Sequence, residues 1–261
     1  MGAPPIARAV GIVHVHSDYS HDGADSLTTI RKRAARAGVS FVAWTDHAED
    51  FDEQRFTEYS SRCGELSDTH VSLLPGLEFR FPRQRGLHLL AFGLERWVSP
   101  ATPEAFVSDV TPLAELTAMA HPVLAEYRLP PAVRAGIGAI EVWNASYNTR
   151  YLPDPRAIAL LQSVRRDRPE VVAIAGLDQH DGANDRRVRV VLTAPSDALT
   201  PLEALRAGRF RNRGLTMSFG PGVAWNGPQM RALIMARAVL DAIEGTQERA
   251  ARAWRRRPVK D

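Results

Sequence analysis

The chain has 261 residues, 44% hydrophobic and 24% charged, with a formal net charge of +3. This balance is ordinary for a soluble globular protein with nothing to suggest disorder in the middle, and a single cysteine, Cys63, excludes an intrachain disulfide or a thiolate metal cluster. No apolar run approaches bilayer-spanning length and residues 1–5 lack the charge and apolar block of a signal peptide, so a cytoplasmic protein with no membrane partner is expected.

Residues 9–13 read as a strand that runs into His14-Val15-His16. Strand side chains alternate with period two, so the two histidines are expected on one side of the pleat, as a chelate. The turn behind them offers His21 and Asp22 as further donors, and Gly23 is available for a positive φ. Residues 26–37 read as a helix capped by Ser26 and stopped by Gly38, and residues 40–45 as the second strand. A polar helical stretch over 51–66 precedes a strand at 71–74 that leads into Pro75-Gly76-Leu77-Glu78. Residues 87–94 form another strand, and a Pro-punctuated helical stretch reaches 116.

Short strands follow at 117–120, closed by His121-Pro122, and at 139–143, closed by Asn144. Residues 154–165 are helical, 171–177 a strand ending at Asp178, and 188–194 a further strand. Helices at 201–207 and 230–254 complete the chain, which is read as one domain over 1–261. Strand then helix, repeated about seven times, predicts an α/β fold with a parallel sheet closed into a TIM-like barrel.

On that map His14 and His16 end the first strand, Asp46 and His47 the second, Glu78 the third, His121 a later one, and Asp178 and His180 the last but one. In a parallel barrel these ends gather at one face. His88 opens its strand and must reach the same face from an antiparallel or irregular segment. Of the eight histidines only His70 stands outside the set, an alignment that scattered core or surface histidines would not produce. Imidazole and carboxylate donors of this kind suit Zn²⁺, Mn²⁺ or Fe²⁺.

The ordered motifs His14-Val-His16, Ser20-His21-Asp22-Gly23, Thr45-Asp46-His47, Pro75-Gly76-Leu77-Glu78, His88-Leu-Leu, Ala120-His121-Pro122 and Asp178-Gln179-His180 resemble those of the PHP (polymerase and histidinol phosphatase) metallohydrolases over residues 9–194. The resemblance implies a distorted seven-stranded (β/α) barrel holding two or three divalent metal ions, with residues 195–261 as the closing segment. It further implies His14, His16 and Asp178 on a first metal, Glu78 bridging to a second held by His88 and His121, and Asp22, His47 and His180 on a third. Asp22 is favoured over His21 as the turn ligand, because the residue before the turn glycine is the usual one; His21 then faces substrate or stands behind a ligand.

The expected function is a metal-dependent phosphoesterase acting on a small phosphorylated metabolite or nucleotide through a metal-bridged hydroxide. Glu78, Asp178 and His180 would carry the catalysis, with Asp46 orienting a ligating histidine from behind or making a plain strand-end hydrogen bond. Arg150 and Arg186, with Arg187, Arg189 and Arg80 as further candidates, would take the substrate phosphate, and Trp143 or Tyr147 would stack a ring or pack in the core. A nucleic-acid substrate ranks lower, since the charge supplies no long basic track. An amidohydrolase would need a carboxylated lysine at a mid-barrel strand end, but Lys32 lies in the first helix and Lys260 in the tail. A non-catalytic regulatory module is the other alternative, weighed against by the full set of ligands.

Overall fold

A computed structural model of the chain describes residues 9–84, 86–148, 151–182, 188–193 and 199–255, with side chains as far as 243. The strands are β1 (Val10–Val15), β2 (Phe41–Trp44), β3 (Asp46–His47), β4 (Ser72–Leu74), β5 (Gly76–Phe81), β6 (Leu87–Phe92), β7 (Leu116–Met119), β8 (Ala139–Asn144), β9 (Val172–Gly176), β10 (Arg189–Leu192), β11 (Phe210–Arg213) and β12 (Ser218–Phe219). The helices are α1 (Leu27–Arg36), α2 (Glu53–Leu66), α3 (Pro103–Ala105, continued by a π-turn at Phe106–Val110), α4 (Pro131–Gly136), α5 (Pro155–Val164), α6 (Pro201–Arg206) and α7 (Gly227–Arg255).

Two six-stranded sheets result, ordered β12-β11-β10-β1-β2-β4 and β3-β5-β6-β7-β8-β9. They are mixed rather than all parallel. β1, β2 and β4 run parallel, as do β7, β8 and β9, while β6 is antiparallel to both β5 and β7, and β10 to β1. The antiparallel β6 is what brings its first residues, with His88, to the end of β5: His88 pairs with Arg80.

Interruptions of the strands at Thr45 and Pro75 carry the backbone from the first sheet to the second. Glu78 therefore lies inside β5 and not at the end of the strand at 71–74, because Pro75 has no N–H for the ladder and Gly76 starts a new strand. Gly76 is required there: a Cβ would lie 2.4 Å from the Ala91 carbonyl oxygen and 2.6 Å from that of Trp44. On the other side, the segment after β9 bonds to the end of β1, with Leu177 N–H on Val13 O (2.9 Å) and His16 N–H on Gln179 O (2.9 Å).

Val13, Phe41, Ala43, Leu90, Phe92, Ala118, Ile174 and Val190 from the strands are buried in one core cluster, continued by Leu202 and Leu205 of α6 and by Phe210. Full burial of each such side chain contributes roughly 1.5–3 kcal/mol. α1 packs through Leu27, Ile30 and Ala34; Ser26 caps it by accepting from Thr29 N–H, and Gly38, at φ 67°, ends it. Trp143 is fully buried and stacked on Phe219, which makes it a core residue.

The chain falls into two compact units, 1–223 and 224–261. The second is α7, whose start is fixed by Asn226 and Gln229 exchanging backbone-to-side-chain hydrogen bonds. Among the described residues no helix is long and apolar enough to cross a membrane.

Candidate metal centre

β1 does not keep its alternation to the end. His14 sits at φ 61°, and the pairing with β2 shifts register between Val13 and Val15, so His14 and His16 face the same centre through a bulge and not through the regular pleat. Asp178 is also left-handed, at φ 52°, and its N–H donates to His14 O at 2.7 Å. A non-glycine residue in this region costs on the order of 1–3 kcal/mol, which the surrounding ladder must offset. The two strained residues are neighbours, and both side chains enter the same cluster.

The turn after β1 is held by Asp46. Its carboxylate accepts from Ser17 N (2.7 Å), Ser17 Oγ (2.9 Å) and Ser20 Oγ (2.8 Å), and Ser20 Oγ accepts from His47 N–H (2.9 Å). Asp46 thus contacts no histidine ring; it shapes the loop and reaches His47 only through Ser20. Gly23 serves this turn by close approach, not by positive φ: a Cβ would lie 1.8 Å from the Ser17 carbonyl oxygen. His21 turns outward, half-exposed, with both its N–H and its Nδ1 on Asp50. Asp22 turns inward to His47 Nε2 (3.1 Å) and His180 Nε2 (3.4 Å).

The nine expected ligands form three overlapping groups: His14, His16, Glu78 and Asp178; Glu78, His88 and His121; and His16, Asp22, His47 and His180. Glu78 Oε2 lies 3.6 Å from His14 Nε2, 3.4 Å from His16 Nε2 and 3.4 Å from His47 Nδ1, while Oε1 lies 2.8 Å from His88 Nδ1 and 3.1 Å from His121 Nε2. Asp178 Oδ1 is 3.4 Å from the Nε2 atoms of both His14 and His16.

Separations near 3.4 Å are long for a hydrogen bond, but two donors about 2.1 Å from one tetrahedral ion lie about 3.4 Å apart. The buried nitrogens His14 Nε2, His16 Nδ1 and Nε2, and His47 Nδ1 have no hydrogen-bond partner. Lone pairs that lack a proton donor and converge on carboxylate oxygens fit divalent cations.

The electrostatics agree. Burial pushes the Glu78 carboxyl up, yet the charge of His14 and hydrogen bonds from His121 and His88 outweigh it and hold Glu78 well below the carboxylate range. Asp178 is likewise held down against burial, by His14, His16 and His121. His14 moves the other way: burial disfavours its charge, but Glu141, Asp178 and Glu78 together raise it well above the ordinary value. His121 is raised too, against burial, chiefly by Glu78, whereas burial lowers His16.

Three further side chains belong to the centre. Glu141, buried in β8, accepts from His14 Nδ1 (2.9 Å) and His121 N–H (2.7 Å); Asn144 donates to it (2.9 Å). A lone charge amid Ala139-Ile140-Glu141-Val142-Trp143 is the signal that could have found it. Tyr147 is 47% exposed and sets its ring 4.7 Å from that of His121. With Arg80, which pairs with Glu49, it joins Asp22, His47, Glu78, His88, His121, Asp178 and His180 in lining a cleft of about 340 Å³. Arg189 lines clefts beside α1 instead. Arg150, Arg186 and Arg187 lie outside the described residues. Cys63 is fully buried on α2, its thiol pushed up by burial.

This geometry separates the two turn candidates. Asp22→Ala should weaken metal binding in the His16–His47–His180 group by more than the roughly 10–100-fold that loss of an outer partner costs, while His21→Ala should leave metal content intact and change mainly rate. Paired metal titrations giving the opposite pattern would reverse the assignment.

Comparison with known proteins bears on the same residues. Over 86 residues the chain is 33% identical to phosphoribosyl 1,2-cyclic phosphate 1,2-diphosphodiesterase of Eggerthella lenta, a stretch that is 32% of this chain and 30% of that protein. The chain therefore matches less than a third of that curated relative's length. The crystal structure of PsfC from Pseudomonas syringae PB-5123 superposes with a TM-score of 0.55 at 16% identity, covering 90% of this chain and 99% of that one. It shows the fold alone. The family model described as PHP domain matches residues 13–150, the span that carries His14, His16, Asp22, His47, Glu78, His88 and His121, and the chain belongs to the PHP domain family.

Proposed function

We propose that the chain is a metal-dependent phosphoesterase acting on a small phosphorylated metabolite or nucleotide. The observation that carries this reading is the position of Glu78, 1% exposed, whose two oxygens face different groups of imidazoles and so share one carboxylate between two metal positions. In the same reading the two sheets are one distorted barrel, joined at Thr45, at Pro75 and along the bonds from 177–179 to β1, and the centre takes two or three Zn²⁺, Mn²⁺ or Fe²⁺ ions.

Ions bound there would supply Lewis acidity toward a phosphoryl oxygen and lower the pKa of water. The chain's own part is to hold Glu78 and Asp178 ionised, fix the imidazoles that face them, and present Arg80 and Tyr147 to the substrate. Arg80 can exchange Glu49 for a phosphate oxygen, an anion that matches its planar fork. A cleft of about 340 Å³ suits a small ester better than a polymer track. The bridging place that an amidohydrolase gives to a modified lysine is filled by Glu78, and Lys32 is exposed on α1.

The test is a phosphatase screen of metal-loaded protein across nucleotides, sugar phosphates and histidinol phosphate, followed by turnover in ¹⁸O-labelled water. Label should enter the released phosphate directly, no phosphoenzyme should be trapped, and Cys63→Ser should leave the rate unchanged. Trapping of a phosphorylated side chain, or no turnover of any ester, would overturn the proposal.

A further inference from the structure

We infer that Glu141, acting with Asn144, is a positioning residue that fixes ligands from three separate strands and thereby controls two of the three metal positions. It sits in the middle of β8 at 1% exposure, where an unpaired carboxylate would be costly. Each of its oxygens is used. Oε1 takes the His14 Nδ1 proton at 2.9 Å, so that Nε2 carries the lone pair turned to Glu78 and Asp178. Oε2 takes the His121 backbone N–H at 2.7 Å and the Asn144 amide at 2.9 Å.

Asn144 extends the brace. Its amide nitrogen also reaches Asp178 Oδ2 at 3.3 Å, and its oxygen accepts from Ser146 N–H and Tyr147 N–H, both at 2.9 Å. One buried pair thus ties His14 on β1, His121 after β7 and Asp178 after β9. β9 is shaped to admit it: a Cβ on Gly176 would lie 1.8 Å from Glu141 Oε1 and 2.9 Å from His14 Cβ.

The contacts are selective. Glu141 has none with Asp22, His47 or His180 among its hydrogen bonds, so the third group stands without it. A glutamine cannot substitute, because it has one oxygen for donors that arrive at both ends of the carboxylate. Its NH₂ would face either the His14 Nδ1–H or the His121 and Asn144 N–H groups, leaving a buried donor against a donor.

The inference rests on the metal-centre reading, and the experiment separates the two. Wild type, Glu141→Gln and Gly176→Ala are titrated with Co²⁺ alone, following the visible absorption spectrum and the stoichiometry, with far-UV circular dichroism as the folding check. Glu141→Gln should lose roughly 10–100-fold in affinity at the steps assigned to His14–His16–Glu78–Asp178 and Glu78–His88–His121, and keep the remaining step unchanged. Gly176→Ala, whose added Cβ crowds both the Glu141 carboxylate and His14 Cβ, should reproduce that pattern; its loss at the Glu78–His88–His121 step, which His14 does not enter, reports on Glu141 and serves alone if Glu141→Gln does not fold. Wild-type affinity at every step in a folded variant would overturn the inference, as would an equal loss at every step or failure of both variants to fold, each of which marks a merely structural residue. Wild-type protein that takes up no Co²⁺ would overturn the metal reading itself.

Discussion

Glu78→Gln should lower phosphoesterase activity by on the order of 10³-fold, the rate equivalent of losing several kcal/mol of transition-state charge stabilisation. No other side chain in the centre faces five imidazoles: His14, His16 and His47 from one oxygen, His88 and His121 from the other. An amide keeps one oxygen of the pair and turns an NH₂ toward the second group, where it offers a donor to nitrogens that should be ligands. It also removes the negative charge that raises His121. The loss should appear in kcat more than in KM, because the substrate contacts proposed for Arg80 and Tyr147 are untouched, and total metal content should fall together with activity. A variant retaining both would show that Glu78 is not shared between positions.

The candidate ligands were legible in the sequence for a physical reason. Histidines and acids that follow apolar β-rich runs stand out, since such runs otherwise end in glycine, proline or small polar residues. Even His88, at the wrong end of its strand, was readable as a sign of an antiparallel segment, and β6 is that segment. What the pattern could not show is where the backbone departs from regularity. The left-handed residues His14 and Asp178 lie in strand-like sequence with no glycine to mark them, because tertiary hydrogen bonds, not local propensity, hold them there.

Glu78 illustrates the same limit. Read from the apolar run at 71–74 it is a strand end, but Pro75 and Gly76 move the chain into the second sheet, and Glu78 becomes an interior residue of β5. Asp46 was legible as important and not as to its partner: a carboxylate beside a histidine in sequence invites a histidine contact, while the fold gives it the Ser17–Ser20 turn. Glu141 is the converse. It is far from every motif in sequence and is brought to His14 and His121 only when β8 lies between β7 and β9.

Removal of metal should abolish activity reversibly and lower Tm, and the size of the Tm difference should grow with pH. A ligand at 100 times its Kd stabilises by about 2.7 kcal/mol, which for a chain of this size is roughly 5–10 °C. The pH dependence follows from the protons that metal must displace. His14 and His121 are raised above their ordinary 6.5 in the metal-free protein, so each keeps its proton to higher pH than a free imidazole, and bound ions would have to expel it. Their contribution to metal-free stability is fully present below 6.5 and is lost as pH rises through their elevated values.

Glu78 has the opposite sign: lowered from 4.5, it stabilises above that value and loses its contribution as pH falls toward its depressed one. The raised histidines thus favour the metal-free protein in mild acid, His16, lowered by burial, opposes them there, and metal binding strengthens on the alkaline side because fewer protons compete. Thermal melts of loaded and chelator-treated protein between pH 6 and 8 should therefore diverge, with proton release on metal uptake seen by calorimetry in buffers of different ionisation enthalpy. A constant Tm difference across that range, or undiminished hydrolysis after chelation, would mean that the imidazole and carboxylate cluster does not hold the ions on which the reaction depends.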